Sequence, residues 1–338
     1  MFTMRRWVKR VALGATGLLA IVVVSGASFE AVMRRRAARD YPPPGRLVEV
    51  GGRRVQIDCR GSGSPTVVLE SGLDYLGSLS WAAVHDSLAR TTRVCAYSRA
   101  GVLWSDPGPA PFEPGQVARD LHAALTRSGE RAPWVMVGHS LGGPYVMLFT
   151  SRYGPEVAGL VFVDASHPAQ FARLREATGK SMQPPTTEVA IGSALAWTGI
   201  VRLASGGDAP PTWPAVADIV SRAYLPISIE ALRRETVAIG ATLDAAGRVR
   251  SLGDRPLVVL TATAKLSPAT LAAEGITEAQ GDRLQAVKEA LQADQATWSL
   301  AGRQERVPNA SHYIQFDRPD VVIGAVRDVV ARVRASSR

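Results

Sequence analysis

The sequence predicts an α/β protein built on a mostly parallel β-sheet. Short apolar runs alternate with segments whose apolar residues recur at helical spacing, which is typical of parallel strands joined by crossover helices. The first two runs, residues 47–50 and 53–59, flank Gly51 and Gly52 and predict an antiparallel hairpin at the start of the sheet. With 338 residues, 46% of them apolar, the chain is long enough to bury one large core.

The later elements follow the same alternation up to one interruption. We predict strands at residues 66–70, 93–97, 135–137, 159–163, 256–261 and 306–308, and helices at residues 81–90, 116–128, 141–153, 281–300 and 319–333. Between about residues 165 and 253 the alternation stops, and proline pairs and helix-like pieces such as residues 229–239 replace it. An insertion of this size between two strands predicts a cap over one edge of the sheet.

The positive charge of the chain is concentrated at its N-terminus. The formal net charge is +9, and residues 1–40 contain eight Lys or Arg and two acidic residues. The rest of the chain therefore carries only +3, which argues against a nucleic-acid-binding surface.

The N-terminal segment predicts a membrane anchor. Residues 11–29 contain no charged side chain, and 19 residues at a rise of 1.5 Å nearly cross a hydrocarbon core of about 30 Å. A signal peptide cleaved beside Ser25-Gly26-Ala27, giving a secreted protein, is the alternative. Basic clusters flank the segment on both sides, and we expect the N-terminus inside and the body of the protein outside the cytoplasm.

The proline-rich residues 40–45 predict a short stiff linker after this anchor. The chain then divides into an anchor with its linker, residues 1–45, and a folded domain, residues 46–338, with the cap insertion at about residues 165–253.

The segment Gly138-His-Ser-Leu-Gly142 joins an apolar run to a helix-compatible one. A G-x-S-x-G sequence at a strand-turn-helix junction is typical of a nucleophile elbow, where glycines leave room for a strained backbone and Ser140 projects from the sheet. The N–H of Leu141, at a helix N-terminus, is placed to bind a developing oxyanion. A serine in an ordinary glycine-rich loop is the alternative at this point.

A serine nucleophile needs a histidine base, and the chain has five histidines. His85 and His122 fall within predicted helices, His139 lies inside the elbow, and His167 follows a strand as a cap residue. His312 stands in the loop between the last strand and the last helix, which is where the chain order Ser, acid, His puts the base. We predict His312 as the base, with a loop histidine of no special role as the alternative.

Asp164 is the predicted acid, because it ends a buried strand at the carboxyl edge of the sheet beside the elbow. An aspartate that caps the first cap helix is the alternative. The strand at residues 256–261 ends without a carboxylate. Glu274, Glu278 and Asp282 remain as reserves in a polar, helix-like segment.

A second oxyanion donor is predicted in Ser71-Gly72-Leu73, the turn after the strand at residues 66–70. Gly72 lets the backbone approach a substrate, and the N–H of Leu73 can then point at its carbonyl oxygen. One such donor stabilises a transition state by about 2.7 to 4 kcal/mol.

These motifs together resemble the α/β-hydrolase superfamily over about residues 46 to 335. In chain order they are Leu69-Glu-Ser-Gly72, Tyr97-Ser-Arg-Ala-Gly101 with Trp104-Ser-Asp106, Gly138-His-Ser-Leu-Gly142, Val161-Phe-Val-Asp164 and Ser311-His312. The resemblance implies an eight-stranded sheet flanked by helices, a helical cap after strand six, a Ser-acid-His triad and no cofactor. It also favours Asp164, because some branches of the superfamily take their acid from the end of strand six.

Two positions depart from the superfamily pattern. Ser98 stands where many relatives carry an aspartate, and Leu103 replaces a glycine that is common in that loop. Cys59 and Cys95 fall on strands that are neighbours in the superfamily's strand order, so the resemblance makes a disulfide reasonable, with two free thiols as the alternative. The chain has no C-x-x-C, H-E-x-x-H, Walker or G-x-G-x-x-G motif that would support a metal or nucleotide site.

The sequence therefore predicts a membrane-anchored serine hydrolase that cleaves a small-molecule carboxylic ester or related acyl bond through an acyl-enzyme. A serine nucleophile points to the esterase-like branch rather than to the epoxide hydrolase and haloalkane dehalogenase branches, which attack with aspartate. An aminopeptidase-like or C–C bond hydrolase on the same triad is one alternative, because the fold does not determine the substrate. A catalytically silent, hydrolase-like binding protein is another.

Overall fold

In the computed structural model, which describes residues 2–206 and 210–336, eight strands of the described chain form one sheet. The strands are β1 (Arg46–Val50), β2 (Arg53–Arg60), β3 (Thr66–Glu70), β4 (Val94–Ser98), β5 (Trp134–His139), β6 (Val157–Val163), β7 (Leu257–Ala262) and β8 (Gly302–Val307). Their order in the sheet is β1-β2-β4-β3-β5-β6-β7-β8. The β1–β2 and β2–β4 pairs are antiparallel and the others parallel, which confirms the predicted mostly parallel sheet.

Helices connect the strands and cover both faces of the sheet. The helices are α1 (Phe2–Asp40), α2 (His85–Ala89), α3 (Pro114–Arg127), α4 (Gly142–Tyr153), α5 (Gln170–Thr178), α6 (Thr186–Leu195), α7 (Ile200–Ala204), α8 (Ala215–Val237), α9 (Ile239–Ala246), α10 (Pro268–Glu274), α11 (Glu278–Ala296), α12 (Ile314–Asp317) and α13 (Pro319–Ser336). Short 3-10 helices lie at Gly77–Trp81, Gly154–Glu156 and Ala196–Thr198.

The central strand β5 shows how the core is divided. Successive side chains of a strand point to opposite faces, so Trp134 and Met136 belong to one buried apolar cluster and Val135 and Val137 to another. The first cluster includes residues of α3 and α4, and the second includes residues of α13. A strand buried on both faces reads as a continuous apolar run, which is why β5 could be predicted from the sequence.

Two elements differ from the prediction for identifiable reasons. β8 begins at Gly302, well before the predicted residues 306–308, because it is an edge strand whose mostly polar side chains lack an apolar pattern. α8 is much longer than the predicted residues 229–239 and runs through Pro226, which is buried within it. A proline inside a helical pattern ordinarily predicts a helix end, and here tertiary packing overrides that signal.

The cap consists of α5 to α9 and is inserted between β6 and β7. Its long helix α8 packs over the loops that follow β3 and β4, where Val220 and Tyr224 share an apolar cluster with Leu76 and Leu103. Residues 207–209 of the predicted cap insertion lie outside the described residues.

α1 is long and apolar enough to cross a membrane. An 18-residue window in it has a mean hydropathy of 2.0, and none of that window is buried. The C-terminal part of α1 is different, because Glu30 and Ala37 are buried against the cap. The predicted linker at residues 40–45 also contacts the domain, since Trp104 Nε1 donates to the Tyr41 carbonyl (2.8 Å) and Gln56 Nε2 donates to the Pro44 carbonyl (2.9 Å).

Cys59 of β2 and Cys95 of β4 are directly paired across the antiparallel ladder and form a disulfide. The bond ties the antiparallel start of the sheet to its parallel part. A structural disulfide suits a domain that folds in an oxidising compartment.

We expect the double substitution Cys59→Ala and Cys95→Ala to lower the free energy of unfolding by roughly 4 kcal/mol, because the bond closes a loop between residues 36 apart in sequence. Denaturant unfolding of the purified protein in detergent measures the change. Reductant should destabilise the wild type and leave the double variant unaffected. Equal stability of the two proteins without reductant would contradict the structural role of the bond.

Candidate active site

Ser140 lies at the sharp turn between β5 and α4 with a φ of +51°, in the left-handed region that non-glycine residues rarely occupy. Backbone hydrogen bonds hold it there: its N–H donates to the Val163 carbonyl (3.2 Å), and its carbonyl accepts from the N–H groups of Gly143 (3.0 Å) and Ser166 (2.9 Å). The turn is thereby fixed to the end of β6, and the partly exposed serine side chain lines a cavity.

Glycines are required around this turn because backbone segments approach closely. A Cβ on Gly142 would lie 2.5 Å from the Glu70 carbonyl oxygen, and a Cβ on Gly138 would lie 2.7 Å from the backbone of Gly142. A Cβ on Gly72 would lie 2.9 Å from the Ser140 Cβ. The turn after β3 therefore lies directly beside the serine.

His312 and Asp164 form a hydrogen-bonded pair, with 2.7 Å between His312 Nδ1 and Asp164 Oδ2. Asp164 ends β6, and its side chain is only 1% exposed, whereas the His312 side chain is 48% exposed. His312 lies between β8 and α12, in the predicted loop. Within the part of the chain that the structure describes, no group is hydrogen-bonded to His312 Nε2, so this nitrogen is free to face a substrate.

Asp164 is ionised despite its burial. Burial alone would raise the pKa of its carboxyl, but the Lys288 ammonium and the hydrogen bond from His312 outweigh it and hold the pKa below its usual value. Lys288 Nζ lies 3.3 Å from Asp164 Oδ2, and Oδ1 accepts from the Ala262 N–H (3.0 Å) and Gln292 Nε2 (3.2 Å). A buried carboxylate with four such partners remains charged and keeps a fixed orientation.

One cavity of about 290 Å³ brings together Ser140, Asp164 and His312. The large apolar side chains that line it come from the cap, from the loop before α10 and from α11: Phe171, Leu174, Met182, Leu266, Leu284 and Leu291. The cavity is a concave, largely apolar site with a few convergent polar groups, as small-molecule sites generally are.

The three reserve carboxylates do not reach His312. Glu274 lines the cavity from the end of α10 with an exposed side chain, and Asp282 is exposed on α11. Glu278 is exposed and lies 3.8 Å from Lys265. Among the predicted acids, only Asp164 is hydrogen-bonded to the imidazole.

The two predicted oxyanion donors belong to the two segments that border the serine, the turn after β3 and the start of α4. Leu141 precedes α4, and Leu73 packs against the apolar cluster that contains Leu141. Neither backbone N–H donates a hydrogen bond to another group of the described residues. Both are therefore available to an oxygen atom bound beside Ser140.

A buried ion-pair network supports the loop that carries Leu73. The Arg99 guanidinium lies 2.7 Å from Glu70 Oε1 and 2.8 Å from Glu235 Oε2, and it also donates to the carbonyl oxygens of Ser71 (2.8 Å) and Gly72 (2.6 Å). Glu235 belongs to α8, so the network joins the loop to the cap. Its geometry fixes the backbone next to the serine.

The two departures from the superfamily pattern have local explanations. The Ser98 hydroxyl donates to Gln56 Oε1 (2.8 Å), and a Cβ on Gly77 would lie 2.6 Å from it, which leaves little room for a larger side chain. Leu103 adopts the positive φ (+51°) that a glycine would favour, and its N–H donates to the Ser228 hydroxyl (2.9 Å).

His139 and His167 lie near the site in different environments from that of His312. His139 Nε2 is 2.9 Å from the His312 carbonyl oxygen, and burial together with the neighbouring His312 lowers the pKa of His139 to about 3. The neutral ring thus supports the His312 loop. His167 lines the same cavity, but its Nε2 is occupied by Asp294 (3.0 Å) and its Nδ1 by the Ala169 N–H (3.0 Å).

Lys288 and Gln292 contact Asp164 although sequence reasoning gave them no role. Both lie on α11, a helix in which polar residues are spread around the axis without a clear apolar stripe. Such a pattern predicts a solvated helix, so no signal in the sequence identified these two side chains.

A family model described as the alpha/beta hydrolase fold matches residues 65–191, which include β3, the Ser140 turn and Asp164. The chain therefore has the α/β-hydrolase fold. The solved structures that share this fold include the epoxide hydrolase CorEH, with a TM-score of 0.60, 18% identity and coverage of 85% of this chain and 98% of that one. An esterase from Thermogutta terrifontis has a TM-score of 0.55 at 18% identity, and the match covers 85% of this chain and 97% of the esterase.

Curated relatives match this chain over shorter regions. An uncharacterized protein of Schizosaccharomyces pombe is 33% identical over 36% of this chain and 28% of its own length. An uncharacterized protein of Bacillus subtilis is 23% identical over 51% of this chain and 53% of its own. An uncharacterized vacuolar membrane protein of Saccharomyces cerevisiae is 32% identical over 30% of this chain and 16% of its own length. The matched regions thus span about half or less of these relatives' lengths.

We expect Gly142→Ala to destabilise the protein by roughly 1 to 3 kcal/mol, because the added methyl overlaps the Glu70 carbonyl in a rigid turn. Gly240→Ala on α9 is the matched control, since a Cβ there meets nothing within 4 Å. Thermal unfolding of both variants measures the difference. If the two variants melt together at the wild-type temperature, the crowding around Ser140 does not constrain this backbone.

Proposed function

We propose that this α/β-hydrolase is a serine hydrolase that cleaves a carboxylic ester or a related acyl bond through an acyl-enzyme. The observation that carries the proposal is the 2.7 Å pair between His312 Nδ1 and the ionised Asp164 in the cavity that Ser140 lines. Nucleophile, base and orienting acid then follow in the chain order Ser, Asp, His.

In the first half of the proposed reaction, Ser140 Oγ attacks the carbonyl carbon of the substrate and His312 Nε2 accepts the hydroxyl proton. Asp164 holds the Nδ1–H tautomer and stabilises the imidazolium that forms. The developing oxyanion accepts hydrogen bonds from the N–H groups of Leu73 and Leu141. The tetrahedral intermediate then collapses, and His312 returns the proton to the leaving alcohol.

In the second half, a water molecule attacks the acyl carbon while His312 Nε2 accepts its proton. Collapse of this second intermediate breaks the bond to Ser140, which regains its proton from His312 and releases the carboxylic acid. Besides the substrate and water, this mechanism uses only the residues named above.

The cavity favours an apolar acyl or alkyl group of modest size. Its walls are mostly apolar, and its described charged residues besides the His–Asp pair are Lys288, which is engaged with Asp164, and Glu274 at the rim. An aminopeptidase-like hydrolase would need a concentrated acidic pocket for a free amine, and this lining does not favour one. A silent binding protein has no need of an ionised acid held against a histidine.

We also propose that α1 anchors the protein in a membrane, with the hydrolase domain outside the cytoplasm. Support comes from the exposed apolar window of α1 and from the packing of Gly26 against the Thr198 carbonyl. That contact favours an uncleaved segment over the alternative of a signal peptide, because Gly26 belongs to the alternative cleavage site.

Substitution of the proposed nucleophile, Ser140→Ala, should abolish turnover of short p-nitrophenyl esters and labelling by a fluorophosphonate probe. Only an activated serine attacks such a probe at neutral pH. The control is Ser151→Ala, an exposed serine later in α4, which should keep both activities. Unchanged turnover in a folded Ser140→Ala protein would refute the proposed nucleophile, and full labelling would show that another residue reacts.

The cavity contains two histidines that are each paired with an aspartate, which allows a matched test of the acid. We expect Asp164→Asn to lower kcat by about 10⁴, because the amide stabilises the wrong tautomer of His312 and cannot stabilise an imidazolium. Asp294→Asn breaks the corresponding contact to His167 and should change kcat by only a few-fold. Steady-state kinetics on p-nitrophenyl esters decide the matter. An equal loss in both variants, or a loss confined to Asp294→Asn, would contradict the assignment.

A further inference from the structure

The cap carries an unusual concentration of exposed apolar side chains. Outside α1, every large apolar side chain that is exposed in the described part of the chain lies in the cap, except Leu300. Five of them fall within thirteen consecutive residues and form what we term the cap apolar patch: Ile191, Leu195, Trp197, Ile200 and Leu203, which are 40 to 72% exposed. Apolar surface concentrated in this way marks an interaction site.

This patch lies beside the end of the predicted membrane span. The phenyl ring of Phe29 lies 3.0 Å from the Cβ position of Gly199, and the Gly26 carbonyl oxygen lies 3.1 Å from it. Gly199 falls between Trp197 and Ile200 of the patch. Gly26 and Phe29 belong to the last turn of the uncharged residues 11–29, which extend about 28 Å as a helix. The patch therefore lies near the depth at which α1 leaves the hydrocarbon.

A buried ion-pair cluster holds the cap at this depth. The Glu30 carboxylate, 1% exposed, lies 2.9 Å from Arg34 Nε within α1 and 2.9 Å from Nε of Arg202 in α7. Arg202 also donates to the Ala223 carbonyl of α8 (2.9 Å), and Arg34 donates to the Pro226 carbonyl (3.1 Å). Since these charges are paired inside the contact, sliding α1 along the cap would leave a buried charge without its partner.

Positive charge follows the span on the same helix. Arg35, Arg36 and Arg39 are exposed on α1, within about 15 Å of Phe29 along the helix axis. Arginines at this distance from the hydrocarbon lie at the level of phospholipid headgroups and attract anionic lipids. Tryptophan is enriched at the same level, and Trp197 of the patch is half exposed.

We propose that the cap apolar patch docks into the headgroup region of the bilayer in which α1 is anchored, so that the cap lies on the membrane surface. The proposal rests on the membrane anchoring proposed above. The partner is a phospholipid bilayer, favoured by continuity of the patch with the apolar span and by the adjacent arginines. A second copy of the chain is the competing occupant, and the test separates the two.

The test uses the full chain, reconstituted into vesicles of phosphatidylcholine and phosphatidylglycerol, with an environment-sensitive NBD fluorophore on a single introduced cysteine. Both native cysteines are in the disulfide, so the label goes to the new position. Leu203→Cys reports on the patch, and Trp197→Cys provides a second patch site should the first fail to fold. Leu300→Cys is the matched control on an exposed leucine outside the cap, and Leu18→Cys in the span reports on the anchor.

Labels at Leu203 and Trp197 should lose most of their fluorescence to lipids that carry a quencher near the headgroup and should be shielded from aqueous iodide. The label at Leu300 should show the opposite behaviour, and that at Leu18 should be quenched by lipids labelled deep in the acyl chain. A Leu203 label quenched by iodide as strongly as the Leu300 label overturns the proposal, as does one shielded from iodide without lipid quenching, which would indicate a second copy. If the label at Leu18 is also accessible to iodide, the proposed membrane anchor is refuted. If the label at Leu18 is buried in lipid while the label at Leu203 is in water, only the docking of the patch is refuted.

Discussion

The close approach of three backbone segments around Ser140 is the constraint on which the site depends. The carbonyl oxygens at the end of β3 leave no room for a side chain on Gly142, and the turn after β3 lies against Ser140 through Gly72. The serine accepts an unfavourable φ because hydrogen bonds to β6 and to the loop after it offset that cost. One crowded turn thereby brings the hydroxyl, two unoccupied N–H groups and the end of β6 to the same edge of the sheet.

The second constraint is electrostatic. A carboxylate as deeply buried as Asp164 is costly unless it is paired, and Lys288, Gln292 and the Ala262 N–H supply partners besides His312. Two of these come from α11, which also forms part of the cavity wall. The helix that shapes the proposed substrate pocket therefore also keeps the acid ionised and oriented. A neutral His139, which contacts the His312 carbonyl, supports the loop without adding a competing positive charge.

The elements that could be predicted from the sequence are those whose pattern lies within a short stretch of residues. Ser140 lies in a motif whose glycines have a direct steric reason, and Asp164 ends an uninterrupted apolar strand. Lys288 and Gln292 gave no such signal, because their role arises only when α11 packs against the end of β6. In the sequence, Glu30 is a single acidic residue next to an apolar segment, and nothing near it predicts a partner from the cap. Arg202, 172 positions later, reaches its carboxylate only in the folded protein. The extent of β8 was missed because an edge strand needs no apolar alternation.

α8 connects the anchor with the proposed catalytic loop. Near its middle, the Ala223 carbonyl accepts from Arg202, which binds Glu30 of α1. Twelve residues later, about 18 Å along the same helix, Glu235 binds Arg99, whose guanidinium also holds the Gly72 carbonyl beside Ser140. Each contact involves an arginine that is also paired with a buried carboxylate, Glu30 or Glu235, so sliding α8 past either one would leave a charged group without its partner. The orientation of the loop after β3 is therefore tied to that of α1. In the proposed membrane-anchored hydrolase, the bilayer that holds α1 would thereby also set the orientation of the cavity relative to the membrane surface.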